Sequence, residues 1–99
     1  MLAVIYHPEA EAEIIEAALF YNERVPRLGV DFLDEIDQGI AAILDQPTLW
    51  RAVEEDIRRY LIKRFPYAIM YRIELNNIRV LAVAHHSRSP GYWKHRKEN

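Results

Sequence analysis

The sequence contains no cysteine. Disulfides, zinc–thiolate sites and thiol nucleophiles are therefore excluded. It has three glycines, Gly29, Gly39 and Gly91, too scattered to build a loop that cradles phosphate. No apolar run approaches the ~18 residues that a membrane-spanning helix needs. Met1 to Pro8 carry no basic segment ahead of an apolar one, as a secretory leader would. These absences place the expected location in the cytoplasm. Nor is there a basic helix of the kind that reads DNA or lies on a membrane surface.

What is present is ordinary globular composition, 51% hydrophobic and 28% charged, far from the disordered class. The 99 residues suit one domain, 1–99. Such a domain holds one modest core, and its functional site is expected to be a surface groove. The net charge of −2 conceals an asymmetry. Residues 1–57 carry thirteen acids against three arginines, and residues 58–99 carry ten Lys and Arg against two Glu. Opposite signs in two halves of a small chain point to a basic surface for a polyanion or an acidic partner. The alternative is that helices and strands neutralise each other on folding.

Residues 2–6 form an apolar run that stops at His7-Pro8, which predicts a short strand. Pro8 suits the first turn of a helix, and Glu9, Glu11, Glu13 and Glu16 favour its positive end. Ala10, Ile14, Ala17, Tyr21 and Val25 recur at helical spacing, widened by Ala18 and Leu19. Pro26 breaks this helix. A second begins near Leu28 to Val30, with Phe32, Ile36, Ile40 and Ile43 inward, and stops before Pro47. Ile57 to Phe65, Tyr67 to Leu75 and Ile78 to His86 are rich in β-branched and aromatic residues, as strands are. Asn76-Asn77 reads as a two-residue turn with positive φ. Val80 to Ala84 is apolar throughout, which predicts a central strand covered on both faces. The predicted fold is α+β, in the order β-α-α-β-β-β. An antiparallel sheet packs against an N-terminal helical hairpin.

That order resembles the RelE/ParE toxin family, and the local sequence strengthens the likeness. Arg58-Arg59-Tyr60-Leu61-Ile62-Lys63-Arg64-Phe65-Pro66-Tyr67 looks like the family's second strand and turn. Ile69 to Ile73 looks like its third strand and Ile78 to His85 its fourth. Arg88, Pro90 to Trp93 and Arg96 match its tail. The resemblance implies the toxin component of a type II toxin–antitoxin system, neutralised by a cognate antitoxin that wraps it. It implies one of two targets. ParE-like members inhibit DNA gyrase. RelE-like members cleave mRNA on the ribosome without a metal.

RNA cleavage of that kind needs a base for the 2′-OH, cations for the phosphate and an acid for the leaving oxygen. Carried over by resemblance, Arg59, His86, Arg88 and Tyr92 are the catalytic candidates, with Lys63 a further basic position. The RelE-like branch also places an arginine where this chain has Ala68, and an alanine cannot hold phosphate. Arg72 lies four residues on, roughly 13 Å along the strand. The preferred reading is therefore a ParE-like inhibitor that acts by binding. RNA cleavage is the alternative, and an inactive toxin-fold interaction module is the second.

Target or antitoxin contacts are expected from Arg58, Arg59, Arg64, Arg72, His86, Arg88, Tyr92 and Trp93. Tyr92 and Trp93 either pack the tail on the sheet or anchor a partner. Arg58, Arg59, Lys63 and Arg64 have a plain alternative as solvated strand charges. Phe65, Tyr67 and Tyr71 read as core. His85 and His86 are strand neighbours, so they point to opposite faces and cannot act on one atom. His7 and His95 lack metal-ligand spacing, and no metal or other cofactor is expected. The helix carboxylates read as solvated.

Overall fold

The computed structural model describes residues 2–98. The chain enters as β1 (Ala3–Tyr6) and turns at His7 into α1 (Pro8–Arg24). His7 caps this helix: its Nδ1 accepts the Glu9 amide at 3.0 Å. That satisfies one of the amides a helix start leaves without a partner. After a three-residue turn, α2 (Leu28–Asp45) runs back beside α1. Gly29 makes the close approach possible, since a Cβ there would lie 2.1 Å from the Ala18 carbonyl oxygen. Its amide donates to Asn22 Oδ1 at 2.7 Å.

Four further strands follow: β2 (Ala52–Glu54), β3 (Ile57–Leu61), β4 (Tyr67–Ile73) and β5 (Asn77–His85). The sheet order is β1-β5-β4-β3-β2. The ladders among β2 to β5 are antiparallel, but β1 runs parallel to β5. The sheet is thus mixed rather than wholly antiparallel. The strand β2, not foreseen in the sequence, adds one more reversal of chain direction before β5. That reversal aligns β5 with β1.

The helices cover one face of the sheet. Phe32, Ile36 and Ile43 of α2 pack there against Ile69, Tyr71 and Val80. On the opposite face Ile57, Met70, Leu81 and Ala82 pack against Trp93. β5 is therefore central and covered on both sides, as its unbroken apolar run implied. The register shifts between Met70, opposite Ala82, and Tyr71, opposite Val80. The extra residue is Leu81, so Leu81 and Ala82 both join the tail-side cluster although they are neighbours. Tyr71 and Phe65 are core residues, and the Tyr71 hydroxyl donates to the Pro47 carbonyl at 2.6 Å.

Some local expectations change. Leu19 does not widen the buried stripe of α1; it is 59% exposed. Ala10, Ala17 and Ala18 do face inward, as the stripe implied. The strand expected to reach Leu75 stops at Ile73, and Leu75 sits exposed in the turn. Asn76 and Asn77 do not take positive φ: among the described non-glycine residues only Arg27 and Glu55 do. The turn spans four residues and closes with the Glu74 amide on the Asn77 carbonyl at 2.8 Å. A reversal of that width is made with ordinary right-handed torsions.

Candidate functional site

The tail after β5 defines the site, and a single carboxylate holds that tail. β1 ends at Tyr6, opposite Val80. Beyond that point the outer edge of β5 has lost its neighbour, and its backbone groups need other partners. Glu13 of α1 accepts the Val83 amide at 3.0 Å. Arg96 donates to the Leu81 carbonyl at 3.1 Å. The two side chains also bind each other through paired contacts of 2.9 and 3.1 Å. The Tyr92 hydroxyl donates to Glu13 at 2.6 Å. Arg96 is 4% exposed, so the salt bridge is buried and fully partnered on the carboxylate side.

Electrostatics follow from this arrangement. Burial works against the charge on Arg96, yet Glu13 outweighs it and raises the guanidinium further above its usual range. The Tyr92 hydroxyl is pushed far above the ordinary tyrosine value, first by burial and then by its hydrogen bond to Glu13. It is a neutral donor at physiological pH. The Arg88 guanidinium lies over the Tyr92 ring at 3.8 Å. At the rim of this cluster, 3.6 Å from Arg96, Glu9 accepts from His95 Nε2 at 3.0 Å, and its carboxyl is held below the usual range, chiefly by the His95 contact.

With the tail held in place, a groove of about 640 Å³ opens between it and β3–β4. Its floor includes Leu61, Ala68, Met70 and Ala84. The ladder puts Leu61 opposite Ala68 and Arg59 opposite Met70, so these side chains share the face turned away from the helices. Around the floor stand Arg59, His86, Arg88 and Lys94. Lys94 pairs with Glu54 at 3.4 Å across the groove. Neither Arg59 nor Arg88 has an ion-pair partner among the described residues.

Of the eight expected contact residues, the structure gathers Arg59, His86, Arg88, Tyr92 and Trp93 around this groove. Trp93 is only 5% exposed and belongs to the core, so it packs the tail rather than offering a free aromatic face. The other three lie elsewhere. Arg58 donates to the Thr48 and Trp50 carbonyls at 3.0 and 2.7 Å and ties down the loop after α2. Arg72 is bound to Glu74 at 2.9 Å and to the Lys97 carbonyl at 3.2 Å. Arg64 is exposed on the turn between β3 and β4, 3.6 Å from Asp31. His85 ends β5 and packs edge-on against Tyr67 at 5.0 Å, while His86 lies just past the strand and is exposed; both line the groove.

Glu13 is the residue that sequence reasoning missed. It was read with the solvated carboxylates, but its side chain is 14% exposed. A signal existed, because Glu13 lies three residues after Ala10 and four before Ala17, on the buried stripe itself. Charge neutralisation between the halves is real but partial. Glu9, Glu13, Asp31 and Glu54 take His95, Arg96, Arg64 and Lys94, while Arg59 and Arg88 of the groove have no ion pair among the described residues.

Among the described residues no three His, Asp or Glu side chains lie where they could share a metal ion. No helix among them is long and apolar enough to cross a membrane.

A two-helix hairpin thus packs on a five-stranded mixed sheet, with a basic groove beneath a folded-back tail. The family described as the ParE toxin of the type II toxin–antitoxin system parDE matches residues 4–90, and the chain belongs to that family. In three dimensions it is similar to a chain of the chromosomal ParDE toxin–antitoxin system from P. aeruginosa. The TM-score is 0.74 at 15% sequence identity, over 86% of this chain and 96% of that one. No curated protein matches the chain closely enough in sequence to add to this. The family match stops before the Tyr92–Arg96 segment that Glu13 holds.

Proposed function

We propose that this ParE-family toxin inhibits growth in the cytoplasm by binding DNA gyrase, and that a cognate antitoxin neutralises it. The observation that carries the reading is the family match over residues 4–90. The groove supports binding over RNA cleavage. Where a phosphate-holding cation would be needed there is Ala68, 4% exposed in the floor. Arg72 cannot replace it, being held by Glu74 and the tail carbonyl. Tyr92 cannot act as a base at neutral pH, because its hydroxyl is committed to Glu13. Arg59 and Arg88 remain as a cationic rim beside His86, suited to an acidic protein surface.

The test is a supercoiling assay with purified gyrase and purified toxin, run beside mapping of mRNA 5′ ends after induction. The expected result is growth arrest, loss of supercoiling and intact transcripts. New cuts in translated mRNA with normal supercoiling would overturn the reading and make Arg59, His86 and Arg88 catalytic candidates. Growth arrest should be lifted by co-expression of an adjacent small reading frame that encodes the antitoxin.

A further inference from the structure

Glu54, the last residue of β2, lines the basic groove. It is the only carboxylate among the described residues of that lining, whose other charged side chains are the cations Arg59, Arg88 and Lys94. Its Oε1 lies 3.4 Å from Lys94 Nζ. The chain itself therefore occupies one of the three cations, while Arg59 and Arg88 carry no ion pair among the described residues. We propose that Glu54 is an internal gate on target binding. It holds on Lys94 the position of a target carboxylate, and an acidic target surface must displace it to bring the third cation into play. The inference rests on the reading that this toxin binds an acidic surface of gyrase, and it adds the residue pair that sets how tightly that surface is held.

The fold builds this contact and leaves it easy to open. Trp93 before Lys94 is core, and Arg96 after it is bound to Glu13. The backbone of Lys94 is thereby fixed, and only its side chain is free to swing. Gly91 clears the path of that side chain: at φ +75° it lacks a Cβ that would lie 2.7 Å from Lys94 Cε. On the opposite side, Glu54 sits where the ladder between β2 and β3 shifts register. The following residue, Glu55, takes φ +40° and lies 3.8 Å from Lys97. The turn after β2 is thus aimed at the tail by two adjacent ion pairs.

Burial separates this pair from the one that anchors the tail. The Arg96 and Glu13 side chains are 5% and 14% exposed, against 60% and 33% for Lys94 and Glu54. Breaking a buried pair strands a charge, whereas an exposed pair is screened by water and contributes little to stability. An incoming carboxylate exchanges one ion pair for another on Lys94. A neutral or basic surface offers no such exchange and meets Glu54 still in place, so the gate favours acidic partners over others.

The test is a double-mutant cycle on the full chain, with wild type, Glu54→Gln, Lys94→Gln and the double variant. Each purified protein is titrated in the gyrase supercoiling assay, and each is induced in cells at matched protein levels. Glu54→Gln should inhibit at about fivefold lower concentration than wild type. Such a gain cannot come from loss of structure, and the melting temperatures should agree closely because the pair is exposed. Lys94→Gln should cost about tenfold in the Glu54→Gln background and only about twofold in the wild-type background, where Glu54 already occupies Lys94. Equal costs in the two backgrounds, or no gain in Glu54→Gln, would overturn the gate. Intact supercoiling with the same order of variants in growth inhibition would remove gyrase as the target and leave the gate standing. Absence of that order from both assays would overturn the gate whatever the target.

Discussion

Glu13 in the second turn of α1 accepts the Tyr92 hydroxyl at 2.6 Å from 79 residues away in sequence. The same carboxylate binds Arg96, whose side chain is 5% exposed. Glu13→Gln keeps the shape of the site and removes its charge, leaving the buried Arg96 guanidinium only the more distant, half-exposed Glu9 carboxylate at 3.6 Å. Breaking one side of such a pair costs about 3 kcal/mol. Urea denaturation should show a lower midpoint with an unchanged slope. Combining Glu13→Gln with Arg96→Met should recover part of the loss, because no unpaired charge then remains buried. A loss in the double variant equal to the sum of the two single losses would show that the pair is not coupled.

Trp93 and Arg88 lie five residues apart and should behave differently. Trp93 is core, packed with Ile57, Met70 and Leu81. Trp93→Ala should cost about 4 kcal/mol and lower toxicity by loss of the folded chain. Arg88 is exposed over the Tyr92 ring. Arg88→Ala should change stability by less than about 1 kcal/mol and still relieve growth inhibition. Thermal melts of the two variants, set beside induced growth curves, separate a folding effect from a contact effect.

The two helices approach each other through Gly29, where a Cβ would meet the Ala18 carbonyl oxygen at 2.1 Å. The obstacle is backbone, so no side-chain rotation relieves it. Gly29→Ala should push α2 away from α1 and cost about 3 kcal/mol, despite the better helix propensity of alanine. An unchanged melting temperature would count against this packing.

Alkaline pH should reveal late-ionising tyrosines, Tyr67 and Tyr71 among them beside Tyr92. Burial pushes Tyr67 up to about 12, helped by Tyr21 and then Glu13. Burial likewise pushes Tyr71 to about 12, with Arg58 pulling the other way. In the unfolded chain both ionise near ~10. The folded state binds these protons more tightly, so their contribution to stability is complete below pH ~10 and is lost as pH rises toward ~12. Absorbance titration should show part of the tyrosine signal delayed, and Tyr71→Phe should remove one residue's share of it.

Much of the architecture was legible because it follows from local periodicity. The helix stripe of Phe32, Ile36, Ile40 and Ile43, the stops at Pro26 and Pro47, and the unbroken apolar run from Val80 to Ala84 each state their burial directly. The basic second half also announced a cationic surface. β2 was not legible, since three residues with a register shift leave no alternation to read. Without it the parallel pairing of β1 with β5 could not be foreseen.

The site was legible only by residue type. Sequence placed Arg58, Arg59, Arg64 and Arg72 in one basic stretch, and they ended in different places. Strand alternation turned Arg58 toward the loop after α2 and Arg59 toward the groove. Glu74 took Arg72, and Arg64 fell on an exposed turn. Local patterning by itself determined the helices, the strands other than β2 and the sign of the surface, because these depend on neighbours within a few residues. The groove depended on Glu13 meeting Tyr92 and Arg96, which only the tertiary structure decided. Such a contact forms once β1 ends short of β5 and leaves backbone groups that distant side chains must satisfy.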